Sequence, residues 1–280
     1  MSAVFRHYTQ AELDRNYDQR GWVANAAEVI ARYAKSSATT RQRRKFETAS
    51  YGPSATEALD IFPCGKAGTP TLIFIHGGAW QNFTKDDFSL VADGFIDHGM
   101  NVVVVNFAKI AAVRLPGMVE QVRRAIAWTR ANATGFNADP GLLYLCGQSS
   151  GAHLAASALV APYGTPAEGV RGLILISGPY DLEPVLLSAR SSYVKLDSAE
   201  AAALSPQRHV ARLTCPVWMF YGEHDTDEFQ RHSREMSEAI RRAGRLAGLT
   251  RLNGLNHFET VEELGKPDSP IARAIRTAMA

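Results

Sequence analysis

A serine flanked by glycines lies between a strand-like run and a helix-like run in the middle of the chain. The motif reads Gly147-Gln148-Ser149-Ser150-Gly151 and separates the apolar run 142–146 from the helical run 152–156. This pattern is typical of a nucleophile elbow, in which a strained turn points the hydroxyl out of a sheet and a Cβ at either glycine would collide with its neighbours. Ser149 is therefore the candidate nucleophile, and a tight turn that merely contains a serine is the alternative.

A serine nucleophile needs two further side chains. Its hydroxyl is barely reactive at neutral pH, so a base must remove the proton and a carboxylate must hold that base in the correct tautomer. After a nucleophile elbow the acid precedes the histidine in the chain. Asp225 follows the strand-like run 216–221, and His257 lies in a short loop before the acidic segment 259–263. We therefore predict Asp225 as the acid and His257 as the base.

Other side chains near these positions suit the two roles less well. Asp227 and Glu228 follow the predicted acid, but a helix beginning near Asp227 would use them to satisfy its free N–H groups. His153 lies four residues after the serine on the same predicted helix, so it should point along that helix. His224 is next to the acid itself.

A glycine pair follows the strand-like run 71–75 in the sequence His76-Gly77-Gly78-Ala79-Trp80. Acyl transfer places negative charge on a carbonyl oxygen, which requires preorganised N–H donors. Glycines let a loop turn inward and point its N–H groups at a ligand. We predict an oxyanion hole formed by the backbone N–H groups of Gly78, Ala79 and Ser150; a plain Gly-Gly turn is the alternative.

The sequence gives no indication of a metal or a cofactor. His76, His153 and His257 fall in separate segments, and no cysteine and histidine spacing resembles a zinc site. We therefore expect no metal site and no cofactor. The three cysteines are widely spaced, lie beside or within strand-like runs and are predicted to be reduced core thiols: Cys64, Cys146 and Cys215.

The elements that must position these residues alternate between two hydrophobic periods. Strand-like runs are predicted at 58–62, 71–75, 102–107, 142–146, 173–176 and 217–221, and helices at 87–98, 117–132, 150–160, 229–244 and 270–279. Near-continuous apolar strands such as 102–105 are expected when helices cover both faces of a parallel sheet. The predicted class is α/β with a doubly wound sheet.

Length and composition favour one large domain over residues 1–280, since 46% of the residues are hydrophobic and no linker divides the chain. A helical segment over about 8–36, with Gly21 as a break, precedes the sheet. The irregular region of about 180–212 is predicted to be a lid-like insertion over the carboxyl edge of the sheet. The basic cluster 41–45 is interpreted as a solvated connection.

Charge and hydropathy bear on location and partners. The 30 basic and 28 acidic residues are spread along the chain and give a net charge of +2, which argues against nucleic acid and anionic membranes as partners. The N-terminus has no apolar signal core, and no segment approaches the roughly 18 apolar residues of a membrane span. The expectation is a cytoplasmic protein, and an apolar helix pair leaves a homodimer open.

The motifs resemble those of the hormone-sensitive-lipase-like α/β-hydrolases and, more narrowly, the arylformamidase (kynurenine formamidase) branch with its HGGxW loop. The matches cover nearly the whole chain and fall at 16–23, 76–80, 147–155, 177–184, 222–229 and 256–259. The resemblance implies an α/β-hydrolase fold with a mostly parallel central sheet flanked by helices. It implies that Ser149 is the nucleophile, Asp225 the acid and His257 the base, in agreement with the motifs and their order in the chain.

Two positions depart from the family pattern. Gln148 stands where relatives usually have His, and Ser150 stands where they usually have Ala. The segment 106–110 also lacks a Tyr that relatives often place after this strand. These differences alter the pocket beside the nucleophile and leave the native substrate open.

The resemblance implies a serine hydrolase that cleaves an aryl formamide such as N-formylkynurenine into an aromatic amine and formate. The expected partner is therefore a small aromatic amide or ester. Trp80 and Tyr180 are candidates for an aromatic wall around the leaving group, with core packing an equal alternative for Trp80. A carboxylesterase, or a hydrolase of another aryl amide or carbamate with the same triad, is the second hypothesis. A non-catalytic ligand receptor is the third.

Overall fold

A computed structural model describes residues 2–280. Its eight strands form one sheet in the order β1-β2-β4-β3-β5-β6-β7-β8, in which β1, β2 and β4 pair antiparallel and all other neighbours pair parallel. The strands are β1 Glu47–Ser50, β2 Ala58–Phe62, β3 Thr69–Ile75, β4 Asn101–Val105, β5 Ala138–Gln148, β6 Val170–Ile176, β7 Val217–Gly222 and β8 Leu246–Leu252. The predicted α/β class is confirmed.

Ten α-helices and five 3₁₀ helices surround the sheet in residues 2–280. The α-helices are α1 Gln10–Asn16, α2 Gln19–Trp22, α3 Ala26–Arg43, α4 Leu115–Asn132, α5 Ser150–Val160, α6 Glu183–Leu187, α7 Ser198–Ala203, α8 Asp227–Arg242, α9 Glu259–Leu264 and α10 Pro270–Met279. The 3₁₀ helices are Lys85–Gly94, Ile96–His98, Ala133–Phe136, Ala189–Ser192 and Pro206–Arg212. None of the helices in residues 2–280 combines the length and apolar character that crossing a bilayer requires.

The central strands are buried on both faces, and alternate residues face opposite layers. In β3, Ile73 and Ile75 belong to a hydrophobic cluster that also contains residues of α1, α4, α5 and α8, whereas Leu72 and Phe74 belong to a second cluster with residues of α3, α9 and α10. This alternation follows from the two-residue period of a strand. Burial of each such side chain contributes about 1.5–3 kcal/mol, so the covered faces hold the strand ends in fixed positions.

Both edge strands were absent from the predicted set. β1 contains no run of apolar residues, and in β8 only Leu252 is fully buried. A strand at the edge of a sheet needs less apolar surface than a central strand, so the hydrophobic pattern is weak there. The predicted helix 87–98 consists of two 3₁₀ helices, because apolar spacings of three and four residues indicate a helix without distinguishing the two types.

The N-terminal helical segment is longer than predicted and ends differently. It contains three helices, and the chain leaves helical geometry at Val23 and Asn25, while the predicted break, Gly21, lies inside α2. The cluster 41–45 is only partly a solvated connection, since Gln42, Arg43 and Lys45 are exposed but Arg41 and Arg44 are half-buried. Arg41 forms an ion pair with the fully buried Asp60 of β2, and Arg44 pairs with Asp93 at 3.0 Å, because a buried carboxylate requires cationic partners.

The region predicted as an insertion connects β6 to β7. It contains α6 and α7 and the 3₁₀ helices Ala189–Ser192 and Pro206–Arg212. Two buried contacts tie it to the rest of the molecule: His153 of α5 bonds the Leu204 carbonyl oxygen at 2.8 Å, and Arg190 bonds the Tyr17 carbonyl oxygen at 2.8 Å. Its action as a lid stays a prediction.

Candidate active site

Ser149 lies between β5 and α5 in a strained turn. Its φ is 55° and its ψ is −128°, a combination that a residue with a side chain rarely adopts. The flanking glycines permit the turn because a Cβ at Gly147 would lie 2.4 Å from the Gly151 carbonyl oxygen, and a Cβ at Gly151 would lie 2.1 Å from the Ile75 carbonyl oxygen. The turn therefore has the geometry predicted for a nucleophile elbow.

The structure brings together the three residues predicted from distant parts of the sequence. His257 Nε2 lies 2.9 Å from Ser149 Oγ, and His257 Nδ1 lies 2.8 Å from Asp225 Oδ1. An ionised carboxylate only accepts hydrogen bonds, so Nδ1 carries the ring proton and Nε2 is free to accept the serine proton. This arrangement can make the hydroxyl of Ser149 nucleophilic.

Asp225 is fixed through its second carboxylate oxygen. Asp225 Oδ2 accepts hydrogen bonds from Ser177 Oγ at 2.6 Å and from the Gly222 backbone N–H at 2.9 Å. Asp227 and Glu228 do not contact His257; they begin α8, whose N-terminus is capped by the Thr226 side chain. Three acceptor interactions therefore orient the Asp225 carboxylate toward the imidazole.

Gln148, one of the two departures from the motif that the sequence resembles, binds the loop that contains His257. Its Nε2 donates to the His257 backbone carbonyl at 3.0 Å, and Thr260 Oγ1 donates to the same oxygen at 2.9 Å. The ring of Phe229 packs edge-on against the imidazole with centroids 5.0 Å apart. This role of Gln148 could not be predicted from the sequence, because a contact across 109 residues leaves no local pattern.

The loop after β3 adopts left-handed backbone conformations at three successive residues. The φ angles of Gly78, Ala79 and Trp80 are 116°, 53° and 62°. The Trp80 N–H donates to Ser150 Oγ at 3.2 Å, so the hydroxyl that replaces the usual alanine side chain anchors this loop to α5.

The three N–H groups predicted to bind an oxyanion have no protein acceptor among residues 2–280: those of Gly78, Ala79 and Ser150. Gly77 lies next to the nucleophile, since a Cβ there would be 2.9 Å from Ser149 Cβ. Unpaired donors beside a nucleophile can stabilise developing negative charge. Their role in an oxyanion hole stays a prediction.

A cavity of about 290 Å³ opens above Ser149. Its floor is formed by Ser149, His257, Gly78, Ala79 and Gln148. Aromatic side chains line part of its wall: Tyr17, Tyr33, Phe83, Phe88, Tyr193 and Phe258. Four charged residues also line it: Asp14, Asp18, Arg20 and Arg190. The cavity can therefore hold a small aromatic molecule that also carries charge.

Neither aromatic residue predicted as a leaving-group wall lines this cavity. Trp80 is 2% exposed and packs edge-on against His153, with ring centroids 5.3 Å apart. Tyr180 is fully buried, and its hydroxyl accepts a hydrogen bond from the Gly178 N–H at 3.2 Å. The left-handed turn at Trp80 directs that side chain into the core. Both side chains therefore pack in the core, and the prediction that they form a wall around the leaving group is wrong for this structure.

The two other buried histidines near the site are neutral. Burial lowers the pKa of His76 and of His153 to about 4. His76 stacks on Phe107 with centroids 4.4 Å apart, and His153 bonds the Leu204 carbonyl oxygen. Among residues 2–280, no three His, Cys, Asp or Glu side chains form a group that could bind a metal ion.

Comparison with known proteins gives matches that cover different shares of the chain. A family model described as BD-FAE matches residues 59–164. The kynurenine formamidase of Danio rerio is 29% identical over 276 residues, and this alignment covers 93% of each of the two chains. Esterase LipQ of Mycobacterium tuberculosis is 30% identical over 222 residues, which are 69% of this chain and 52% of the esterase.

A solved structure matches nearly the whole chain. A protein of Silicibacter sp. TM1040, described provisionally as a thioesterase, superposes on this chain with a TM-score of 0.83 at 27% sequence identity. The superposition covers 95% of this chain and 99% of that protein's chain. The chain is a hydrolase with the α/β-hydrolase fold. The resemblance of this hydrolase to the arylformamidase branch, predicted from its motifs, is confirmed by the similarity to kynurenine formamidases.

Proposed function

We propose that this hydrolase cleaves an aryl formamide, such as N-formylkynurenine, through a formyl-serine intermediate. The observation that carries the proposal is the continuous hydrogen-bonded path from Asp225 through His257 to Ser149, which ends at an aromatic-lined cavity. The similarity to kynurenine formamidases over 93% of the chain supports a formamide as substrate.

In the first half of the proposed reaction, Ser149 Oγ attacks the formyl carbon while His257 Nε2 takes the hydroxyl proton. The carbonyl oxygen becomes an oxyanion and accepts hydrogen bonds from the N–H groups of Gly78, Ala79 and Ser150. The C–N bond then breaks, and His257 gives its proton to the departing aryl amine. Asp225 keeps the imidazole oriented and stabilises its positive charge.

In the second half, a water molecule attacks the formyl ester on Ser149. His257 Nε2 takes a proton from this water, and the same three N–H groups bind the second oxyanion. The ester bond to Oγ breaks, His257 returns the proton to the serine, and formic acid leaves and loses its remaining proton to water as formate. A formyl group has no side chain, so the acyl side of the site needs little space, whereas the aryl side needs a cavity with aromatic walls.

The second candidate is a carboxylesterase, or a hydrolase of another aryl amide or carbamate. The similarity to esterase LipQ favours it, because an ester can use the same triad and the same oxyanion donors. The two candidates differ in the bond that is cleaved fastest. The aryl amine of an anilide is a poor leaving group and must be protonated by His257 as it departs. The phenolate of an aryl ester can leave without protonation.

The test is a comparison of kcat/KM for N-formylkynurenine, simpler formanilides and p-nitrophenyl acetate on the purified protein. We expect the formamides to be cleaved with the larger kcat/KM. Negligible formamide turnover beside rapid cleavage of p-nitrophenyl acetate would reject the formamidase and favour the esterase. Failure of a fluorophosphonate probe to label Ser149 would reject both and revive a non-catalytic receptor.

A further inference from the structure

A helix that contributes no residue to the triad contacts the chain on both sides of His257. This histidine lies in the loop 253–258 between β8 and α9, which we call the base loop. The helix is α3, which begins directly after Asn25 and contains Tyr33. Asn25 binds the residue before His257, and Tyr33 binds the residue after it. These contacts span 231 and 225 residues, so no local pattern in the sequence indicates them.

The contact at Asn25 closes a ring of three side chains. Asn256 Nδ2 donates to Asn25 Oδ1 at 2.9 Å, and Asn25 Nδ2 donates to Glu259 Oε1 at 2.8 Å. Glu259 Oε2 accepts the Asn256 backbone N–H at 2.9 Å and closes the ring. Asn256 Oδ1 also accepts the backbone N–H groups of Phe258 and Glu259 at 3.0 and 3.2 Å. The residue directly before His257 is therefore held through its side chain and its main chain.

The contact at Tyr33 binds the main chain directly after His257. The Tyr33 hydroxyl donates to the Phe258 carbonyl oxygen, which also accepts the Val261 backbone N–H at 3.1 Å. Burial raises the pKa of this hydroxyl well above its ordinary value of 10, so it keeps its proton and acts as a donor. The Tyr33 ring packs against Phe88 with centroids 5.7 Å apart. Packing thus fixes the side chain that holds the Phe258 carbonyl.

The position of the base loop matters because the imidazole of His257 must meet two partners at once. Its Nε2 lies 2.9 Å from Ser149 Oγ, and its Nδ1 lies 2.8 Å from Asp225 Oδ1. A displacement of about 1 Å in a catalytic arrangement can lower a rate about 100-fold. β8, which precedes the base loop, is an edge strand in which only Leu252 is buried. Anchors outside β8 are therefore needed to hold the loop.

We propose that Tyr33 and Asn25 are positioning residues, which hold His257 within reach of both of its triad partners. The proposal rests on the proposed function, because it assumes the triad, but it gives α3 a part in the reaction. The ring of Tyr33 lines the cavity, whereas its hydroxyl is bonded to the base loop. Loss of the ring and loss of the hydroxyl should therefore have different kinetic effects.

The variant Tyr33→Phe removes the hydroxyl and keeps the ring. We expect kcat to fall about 5- to 30-fold and KM to change less than about twofold, because the hydroxyl acts through the base and not on the substrate. The loss should be larger for a formanilide than for p-nitrophenyl acetate, since His257 must also protonate the departing amine. Fluorophosphonate should label Ser149 more slowly. An unchanged kcat, or a change in KM alone, overturns the role of Tyr33.

The matched control is Tyr51→Phe. Tyr51 is also a buried tyrosine whose hydroxyl donates to a backbone carbonyl, that of Asn106, at 2.6 Å. Neither Tyr51 nor Asn106 lines the cavity or belongs to the base loop. Both variants lose one buried hydrogen bond, so urea should unfold them at similarly lowered concentrations, while only Tyr33→Phe loses kcat. An equal loss of kcat in both variants would assign the effect to stability and overturn the proposal.

Asn25→Ala tests the other contact and does not depend on whether Tyr33→Phe folds. We expect kcat to fall about 5- to 20-fold with little change in KM, because two side-chain hydrogen bonds to the base loop and α9 are lost. Asn132→Ala is its control, since Asn132 is exposed and bonds only the Trp128 carbonyl of its own helix. Activity of Asn25→Ala equal to that of Asn132→Ala overturns the role of Asn25.

The same measurements separate this proposal from the formamidase proposal, because labelling and acetate cleavage need the triad but no formamide. If the acetate is cleaved and formamides are not, the formamidase is wrong, and slower acetate cleavage by Tyr33→Phe still supports positioning. If formamides are cleaved equally fast by Tyr33→Phe and by the unmodified protein, the formamidase stands and the positioning role is wrong. An unmodified protein that is neither labelled nor active overturns both.

Discussion

The two sides of the cavity are built in different ways. The floor comes from the carboxyl ends of β3 and β5 and the loop after β8, and the His257 imidazole of this floor and the Asp225 carboxylate behind it each have hydrogen-bond partners. The wall comes from the N-terminal helical segment, from the segment after β3 that contains Phe83 and Phe88, from the segment between β6 and β7, and from Phe258. The groups that we propose to react therefore follow strand ends of the sheet, whereas most of the wall that would surround a substrate belongs to helices and loops outside it.

The largest effect is expected at the floor. Ser149→Ala should lower kcat by about 10⁴- to 10⁶-fold, because no other hydroxyl lies within hydrogen-bonding distance of His257 Nε2 among residues 2–280. Steady-state kinetics and labelling by a fluorophosphonate measure the loss. Ser192→Ala, in the exposed part of the segment between β6 and β7, is the control and should remain fully active and labelled. A labelled Ser149→Ala protein would contradict the assignment of the nucleophile.

Asp225→Asn should lower kcat by about 10⁴-fold. Ser177 and Gly222 donate to the outer carboxylate oxygen, so they will bind the amide oxygen of asparagine and turn its NH₂ group toward His257 Nδ1. The ring proton then moves to Nε2, which can no longer accept the serine proton. The variant should keep its thermal stability within a few degrees, and a loss of activity below tenfold would speak against Asp225 as the acid.

Acid should weaken the contact between α5 and the segment that connects β6 to β7. His153 of α5 bonds Leu204, and burial lowers its pKa to about 4, from an ordinary value of 6.5. Because the folded state resists protonation, stability is full above pH 6.5 and falls by about 3 kcal/mol as the pH decreases from 6.5 to 4. Urea unfolding across this range measures the slope, which should be shallower in His153→Gln. An equal slope in both proteins would show that other groups cause the acid sensitivity.

The smallest effect is expected at Gln148. Gln148→Ala removes one of two hydrogen bonds to the His257 carbonyl, so kcat should fall about 3- to 10-fold while KM changes little. Gln148→His should restore most of the activity, because an imidazole N–H can donate to the same oxygen. If Gln148→Ala raises KM and leaves kcat unchanged, the residue contacts the substrate and does not position the base.

The floor was predictable from sequence and the wall was not. Ser149 is marked by its glycines, and Asp225 and His257 are marked by apolar strands and by their order in the chain. The fold class followed from the same strands. Trp80 and Tyr180 were placed in the wall because of their type, but the aromatic wall comes from residues such as Tyr33 and Tyr193, which approach the serine only after tertiary packing. Such long-range contacts have no period and no local motif.

The contact at Gly151 has a consequence for how this protein could change. At Gly151, the backbone of α5 lies so close to the carbonyl oxygens of Ile75 and His76 that a Cβ would collide with both, and these two residues precede the N–H groups that we propose as oxyanion donors. The distance between the attacking atom and those donors is thus set by main chain against main chain. Evolution or design can therefore exchange side chains in the cavity wall to admit new molecules, while this backbone geometry stays unchanged.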